Sequence, residues 1–551
     1  MTRSILLSII FIHTFFLFAH SQKLRKADKE IVAELQTDID FLSNDKLEGR
    51  RSGTAGETLA SDYIIADFIK AGLKPLGDSA TWLQRFEIYD GRDISHTVFT
   101  INNSVLVLNT EFIPLPFSAS GKVEGSPAVA LQESGDPWFF DLKETTEAAQ
   151  NNPHFDLNKF LREKTKQFAG KGASAVIFYN SSKTDDGIVF DPAEGTRAEK
   201  IPVLYVTKTG RKKYLKDISQ TLNVVIDVEM EERKRWGHNI LGYLDNGAPY
   251  TVIIGAHYDH LGFGEDGNSL YRGTEKMIHP GADDNASGVA GMIELARLLK
   301  KAKNQKTNYL FIAFSGEESG LIGSKFFTEY PTLPLSKISY MMNLDMIGRL
   351  NDSTHSLTIG GYGTSPQWAD LIGSTINKKI FILKVDSSGT GPSDHTSFYL
   401  KNIPVLFFFT GIHSDYHKPT DRADKINYPG ELQVIKLVFA ITQKMDGMNK
   451  PVFTKTRDRQ FGLTPAFNVT LGIMPDYSFP GSGLRIDAIS EGRPAEKAGL
   501  RTGDIITKLG DYSVVSLQTY MDALSKFNRD DQTTVVFLRG KEELKASVEF
   551  K

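Results

Sequence analysis

The sequence is organised around the stretch Gly281-Ala282-Asp283-Asp284-Asn285-Ala286-Ser287-Gly288. It places two adjacent carboxylates between small residues, directly before a segment whose apolar residues recur at helical spacing from Val289 to Leu299. A carboxylate at the start of a helix either caps the helix or binds a metal ion. The stretch alone does not decide between these roles. The decision depends on which other residues the fold brings beside it.

On both sides of this stretch, apolar segments alternate with helical patterns. That alternation is typical of a largely parallel sheet that is covered by helices on both faces. The predicted strands are 250–256, 308–314, 338–344, 356–359 and 404–409. In open sheets of this kind, ligands bind beyond the carboxyl ends of the strands.

Acidic and histidine residues follow four of these five strands. They are His257 and Asp259 after the first, Glu317 and Glu318 after the second, Asp345 after the third, and His417 after the last. Each residue alone has an ordinary structural explanation, such as a helix cap or solvated surface. Together, at corresponding strand ends, they indicate a hydrolytic metal centre. The five ligands that suit two metal ions sharing one bridging carboxylate are His257, Asp284, Glu318, Asp345 and His417.

The ligand types also bear on the metal and on the catalytic base. The chain has no cysteine, so any metal must be held by nitrogen and oxygen. Mixed imidazole and carboxylate ligation favours zinc, and cobalt or manganese stay open. Two adjacent glutamates allow one to bind metal while its neighbour takes a proton from the attacking water and returns it to the leaving amine. Asp259 lies two residues after His257 and is placed to orient its ring.

Five short motifs together resemble the M28 family of metallopeptidases, the aminopeptidases with a co-catalytic zinc pair. They are HYDH at 257–260, GADDNASG at 281–288, FSGEESG at 314–320, NLDMIG at 343–348 and YHKPTD at 416–421. The resemblance covers residues 40–448. It implies an α/β fold of the zinc-dependent exopeptidase type, with a mostly parallel-core sheet flanked by helices.

The resemblance also implies a role for each site residue. One zinc is expected on His257 and Asp345 and the other on Glu318 and His417, with Asp284 as the bridge and Asp283 as its neighbour. Glu317 matches the general base, and Asp259 matches the carboxylate behind His257. Tyr416 is positioned like a tyrosine that stabilises the oxyanion in some members. The family often has a cis peptide bond after the bridging aspartate, here Asp284–Asn285.

A chain of 551 residues is expected to form several domains. We predict a signal peptide at 1–21, a zinc peptidase domain at 22–111 and 226–449, an α/β insert at 112–225, a linker at 450–459 and a β-rich domain at 460–551. The insert resembles a protease-associated (PA) domain. The tail resembles a PDZ domain of the bacterial type, with Gly483, Leu484 and Ile486 in its peptide-binding loop and strand.

Two further expectations concern the first part of the chain. Residues 1–21 combine a positive start, a short apolar core and a small-residue exit, which is typical of a secretory signal and favours an exported, periplasmic or extracellular protein over a membrane anchor. Between helices predicted at 26–43 and 57–71, the glycine-rich and charged segment 47–53 is predicted to be a surface loop.

The function that these features favour is a dizinc aminopeptidase acting on peptides with a free N-terminus, with a further chain end bound by the PDZ domain. The net charge of -3 offers no basic surface for nucleic acid, and no segment after the signal is apolar enough to span a membrane. Three alternatives stay open: a glutaminyl cyclase-like acyltransferase, a carboxypeptidase on the same fold, and a non-catalytic PA and PDZ scaffold.

Overall fold

The computed structural model describes residues 25–149, 157–193, 197–217, 219–302, 305–456, 469–475, 483–489, 492–515 and 517–550. The predicted signal peptide lies outside these residues, as do parts of the predicted linker and PDZ domain. The helices are α1 (Lys26–Leu42), α2 (Ala55–Lys70), α3 (Lys143–Ala149), α4 (Leu157–Gly170), α5 (Lys208–Tyr214), α6 (Gly288–Lys301), α7 (Ile322–Glu329), α8 (Gln367–Thr375), α9 (His395–Tyr399), α10 (Tyr428–Met445), α11 (Pro494–Lys497) and α12 (Leu517–Leu524).

The strands, in chain order, are β1 (Lys74–Pro75), β2 (Leu83–Ile101), β3 (Ser104–Val105), β4 (Phe112–Pro114), β5 (Gly121–Gly125), β6 (Pro137–Asp141), β7 (Ala175–Tyr179), β8 (Val203–Val206), β9 (Val224–Leu244), β10 (Thr251–His257), β11 (Asn308–Phe314), β12 (Ile338–Leu344), β13 (Ser356–Gly360), β14 (Ile382–Val385), β15 (Val405–Phe409), β16 (Ile473–Pro475), β17 (Leu484–Ile489), β18 (Ile505–Leu509), β19 (Tyr512–Ser513), β20 (Gln532–Arg539) and β21 (Glu542–Glu549).

The largest sheet has the parallel core that the sequence predicts. Its order is β14-β13-β15-β12-β10-β11-β9-β2-β3, with β1 and β5 also paired to β9. Strands β15, β12, β10 and β11 run parallel to their neighbours, whereas β9 and β13 join them antiparallel. The five predicted strands are confirmed to within one residue at either end.

Helices cover both faces of this sheet. On β10, Val252 and Ile254 belong to the hydrophobic cluster beneath α1, α2, α6, α8 and α10, while Ile253 belongs to the cluster beneath α7 and α9. Successive strand residues point to opposite faces, so a strand covered on both sides buries every residue. This burial explains why these strands read as unbroken apolar runs.

The insert is joined to the main sheet by two long strands. Strands β2 and β9 pair antiparallel from Leu83 to Ile101, and beyond them lies a separate four-stranded sheet of order β4-β8-β7-β6. Helices α3, α4 and α5 accompany this small sheet, so the insert is an α/β module. The predicted boundary at 225/226 falls within β9.

One prediction in the first part of the chain is wrong. Residues 47–53 were expected on the surface, but Leu47, Arg50 and Ser52 are at most 2% exposed. Glycine and charge were taken as signs of solvent exposure. The Arg50 guanidinium is instead surrounded by main-chain carbonyls, which allows its burial.

The C-terminal region forms its own sheet, of order β16-β17-β18-β20-β21 with β19 beside β18, around a third hydrophobic cluster. Strands β20 and β21 pair antiparallel and are joined by a turn at Gly540-Lys541. Across the described residues, no helix combines the length and apolarity needed to cross a bilayer.

Candidate metal centre

The turn between β10 and α6 presents Asp284 to the strand ends. Residues Ala282–Ser287 form a wide turn whose backbone leaves helical geometry at Asp284 and Asn285, and Gly281 precedes it with a left-handed φ of 58°. The Asp421 carboxylate accepts hydrogen bonds from the main-chain N–H groups of Asp283 (3.0 Å) and Asp284 (3.1 Å). The expected cis peptide bond at Asp284–Asn285 is present.

Asn285 joins this turn to the end of β12. Its side-chain amide donates to the Leu344 carbonyl (3.0 Å), and its Oδ1 accepts from the Met346 amide (3.1 Å). These two bonds flank Asp345. The turn and the strand end are therefore held in one relative position, which places Asp284 and Asp345 side by side.

A first group of candidate ligands surrounds His257, the last residue of β10. Its Nε2 lies 3.3 Å from Asp284 Oδ1 and 3.4 Å from Asp345 Oδ1. Its Nδ1 lies 3.1 Å from the Asp259 carbonyl oxygen. Because a carbonyl oxygen only accepts, Nδ1 carries the hydrogen, and Nε2 is the nitrogen that a metal ion would take.

A second group surrounds His417 and uses the other oxygen of Asp284. Here Nε2 lies 3.3 Å from Asp284 Oδ2 and 3.3 Å from Glu318 Oε2. The Nδ1 of His417 donates to the Asn268 carbonyl (2.8 Å), so this ring is also held with Nε2 toward the carboxylates.

These separations fit a metal ion well. Ligands at about 2.0–2.1 Å in a tetrahedral arrangement stand about 3.3 Å apart. Each imidazole of the two groups meets its carboxylate oxygens at 3.3–3.4 Å, too long for strong charge-assisted hydrogen bonds. The five sequence-predicted ligands are thus brought together, and Asp284 alone contributes an oxygen to each group.

The two catalytic carboxylates of the prediction are linked through the main chain. The Glu317 amide donates to Asp259 Oδ1 (3.2 Å), and Asp259 Oδ2 accepts from Ser52 Oγ (2.8 Å). The Asp259 carboxylate lies 3.7 Å from His257 Nδ1, beyond hydrogen-bonding distance. Asp259 therefore orients His257 through its carbonyl oxygen and positions Glu317 through its carboxylate.

The charges at the site act strongly on one another. Although burial opposes it, the nearby carboxylates of Asp284 and Glu318 raise the pKa of His417 to about 11. Against burial and the Asp284 charge, hydrogen bonds from His260 and His417 lower the pKa of Glu318 to about 2. Burial raises the pKa of Glu317 well above its ordinary value. A group with a raised pKa beside an electrophilic centre suits proton transfer.

Tyr416 lies at the edge of the cluster. Its ring stacks on that of His417 with centroids 3.9 Å apart. Burial, followed by the charges of Asp284 and Glu318, raises the pKa of its hydroxyl, so Tyr416 is a neutral hydrogen-bond donor at neutral pH.

Several residues of the site were missed by the sequence reasoning. Arg50 donates to the carbonyls of Tyr258 (2.8 Å), Pro280 (2.6 Å) and Gly281 (3.0 Å), which ties together both ends of the loop between β10 and the Asp284 turn. Ser393 Oγ donates to Asp345 Oδ2 (2.7 Å). Both lie far from the motifs in sequence, and no periodicity singles them out.

The PDZ residues of the prediction lie on or next to β17. Leu484 and Ile486 are buried in the third hydrophobic cluster. The main chain of Ile486 bonds to Asp504 and Gly503, beside β18. Gly483 has a φ of 110° and donates to the Val515 carbonyl (3.2 Å).

The fold and the cluster define an α/β protein with a candidate metal centre at the carboxyl ends of its strands. Comparison with known families identifies its parts: residues 239–442 match the peptidase family M28, and residues 456–550 match the PDZ domain. Residues 239–442 are thus similar to an M28 peptidase domain, and residues 456–550 are similar to a PDZ domain.

Curated relatives cover part of the chain. It is 27% identical over 282 residues to aminopeptidase YwaD of Bacillus subtilis (48% of this chain, 55% of the relative). It is 32% identical over 200 residues to leupeptin-inactivating enzyme 1 of Streptomyces exfoliatus (34% and 39%). The chain therefore spans about half the length, or less, of these relatives. A solved aminopeptidase from Aneurinibacillus sp. strain AM-1 aligns with a TM-score of 0.46 at 23% identity, over 78% of this chain and 97% of that one.

Proposed function

We propose that this chain is an exported aminopeptidase that removes N-terminal residues from peptides with the help of two zinc ions. One observation supports the proposal most directly. The two oxygens of Asp284 face two different imidazole and carboxylate groups, at 3.3 Å from His257 Nε2 and 3.3 Å from His417 Nε2. A carboxylate that belongs to two ligand groups is the mark of a two-metal site.

The domain content and the relatives support the same activity. An M28 peptidase domain contains the whole ligand set, from His257 to His417. Of the two curated relatives compared above, one is named an aminopeptidase and the other a leupeptin-inactivating enzyme.

The residues divide the chemistry between them. When bound, the zinc ions supply the Lewis acidity that polarises the scissile carbonyl and lowers the pKa of the attacking water. Glu317 accepts the proton of that water and delivers it to the leaving amine. Asp259 holds the Glu317 backbone in place through the 3.2 Å amide contact. Tyr416 donates a hydrogen bond to the oxyanion that develops on the carbonyl oxygen.

The register of the substrate is set by its free amine. Asp345 and Glu317 offer carboxylate oxygens beside the first ligand group, where an ammonium or amine group is attracted. A peptide with a blocked N-terminus lacks this group, so we expect it to be cleaved poorly.

A pair of substitutions in adjacent residues tests the mechanism. Glu317→Gln removes the base and keeps the shape, so activity on aminoacyl substrates should fall by about 10²–10⁴-fold while two zinc ions remain bound. Glu318→Gln removes a ligand charge, so zinc content itself should fall. Activity and zinc content per chain are measured together. Wild-type activity in the Glu317→Gln variant that retains zinc refutes the role of Glu317.

A substrate panel separates the alternative activities. Free aminoacyl peptides, N-acetylated peptides and peptides that begin with glutamine are supplied with and without chelator. Cleavage of the acetylated set indicates a carboxypeptidase, and ammonia release without cleavage from the glutamine peptide, with one zinc per chain, indicates a cyclase. Inertness toward all three in the presence of zinc indicates a scaffold.

The remaining regions receive roles within the same proposal. The α/β insert, which resembles a PA domain, serves as a lid or recognition module. The PDZ domain binds a peptide or protein chain end beside β17. Residues 1–21 direct export.

A further inference from the structure

His260 lies against the second ligand group but belongs to neither of its metal-binding pairs. Its side chain is fully buried, and its Nδ1 lies 2.7 Å from Glu318 Oε1 and 4.0 Å from Asp284 Oδ2. Its ring meets that of His417 edge to face, with centroids 5.9 Å apart. His260, Asp284 and Glu318 thus form a compact trio that itself resembles a metal site.

The distances decide between ligation and hydrogen bonding. Two ligands of one tetrahedral zinc stand about 3.3 Å apart. The 2.7 Å between His260 Nδ1 and Glu318 Oε1 is shorter than that and matches a charge-assisted hydrogen bond. His417 instead stands 3.3 Å from both Asp284 and Glu318, which is the separation expected of a ligand.

The fold holds the His260 ring in this position. The His260 amide donates to the Arg50 carbonyl (3.2 Å). On the other side the ring packs against Gly281, where a Cβ atom would come within 2.5 Å of the His260 Cδ2. The His260 ring leaves no room for a Cβ atom at position 281, and the φ of residue 281 is left-handed. Both features require glycine there.

We infer that His260 is a positioning residue that donates its Nδ1 hydrogen to Glu318 Oε1 and so turns Oε2 toward the metal that His417 binds. The inference rests on the proposed two-zinc function. Since a carboxylate only accepts, the hydrogen must lie on Nδ1. A ligand carboxylate that is held by such a bond loses less freedom when the metal binds, and removing such a partner typically weakens metal binding by about 10–100-fold.

Three variants of the full-length protein test the inference. Asparagine places an amide nitrogen where Nδ1 stands, glutamine places one where Nε2 stands, and alanine places none. Zinc affinity is measured for each of two zinc ions by competition with a chromophoric chelator, with zinc content per chain as a second readout. His260→Ala and His260→Gln should bind one of the two zinc ions about 10–100-fold less tightly than wild type, and His260→Asn should stay within about threefold of wild type.

The outcomes separate this inference from the proposed function. If wild type binds two zinc ions and His260→Ala binds both with wild-type affinity, the positioning role is refuted. It is equally refuted if asparagine rescues no better than glutamine, a comparison that holds even if the alanine variant does not fold. If wild type binds no second zinc, the two-zinc function itself fails.

Discussion

Replacing Arg50 with methionine tests whether this buried guanidinium holds the loop between β10 and the Asp284 turn in place. The side chain is 1% exposed and donates to four main-chain carbonyls, those of Leu42, Tyr258, Pro280 and Gly281. Methionine has a similar length but no donor. All four bonds are lost, while the space stays largely filled.

The expected magnitude follows from those four carbonyls. Each buried acceptor that loses its partner costs about 1–3 kcal/mol. Part of this cost is offset because the guanidinium no longer has to be desolvated. That desolvation lowers the pKa of Arg50 to about 10, while Asp284 and Asp259 oppose the shift. Removal of one partner from a buried charged network typically costs about 3–5 kcal/mol, and we expect a loss of that size.

Urea unfolding followed by tryptophan fluorescence measures this loss. The four tryptophans, Trp82, Trp138, Trp236 and Trp368, all precede the PDZ domain, so their signal reports the peptidase domain and its insert. Arg422→Met is the matched control, because Arg422 pairs with Asp45 on the surface and should contribute less than about 1 kcal/mol. If both variants unfold alike, Arg50 does not have the structural role described here.

Two further predictions concern the metal and the segment before the PDZ domain. Since the pKa of His417 is raised to about 11, His417 is protonated at pH 7 without metal. Zinc binding should therefore release at least about one proton, and zinc affinity should rise with pH. Calorimetry in buffers of different ionisation enthalpy measures the number of protons released. A release of zero protons refutes the prediction. Thr456 Oγ1 accepts from the Gly389 amide (3.0 Å), in the loop that leads to Ser393. Thr456→Val should speed amide exchange at Gly389 by about fivefold, the effect of one hydrogen bond. Thr454→Val should not, because Thr454 bonds to the Thr364 carbonyl through its main-chain amide.

Much of the site could be predicted because its chemistry is concentrated in short motifs at strand ends. The strands themselves read clearly, since burial on both faces leaves unbroken apolar runs, as in Asn308–Phe314. Parallel strands bring their carboxyl ends to one edge, so the order of His257, Glu318 and Asp345 already indicated that they meet. The choice of Asp284 over Asp283 came from the family resemblance. In the structure, the Asp283 carboxylate accepts hydrogen bonds from the Gly348 amide and the Ser287 hydroxyl.

The partners of those residues could not be predicted in the same way. Segment 47–53 reads as a surface loop because its charge and glycines carry no sign of the carbonyls that surround Arg50. His260 stands in a quoted motif, yet no spacing tells a ligand from a residue that donates to a ligand. That distinction depends on two distances to the Glu318 carboxylate, which are 2.7 Å from His260 Nδ1 and 3.3 Å from His417 Nε2.

The sequence by itself determined the parallel-core sheet, because local periodicity is written along the chain. Residue chemistry at the strand ends also supplied the candidate ligands and the neighbouring Glu317, and the family resemblance chose Asp284 over Asp283. Only the tertiary structure decided that the oxygens of Asp284 face two groups, that Asp259 holds Glu317 through its amide, and that His260 donates to Glu318. These are contacts between residues up to 133 positions apart, the separation of Asp284 and His417. Their distances follow from how the elements pack, which no local pattern encodes.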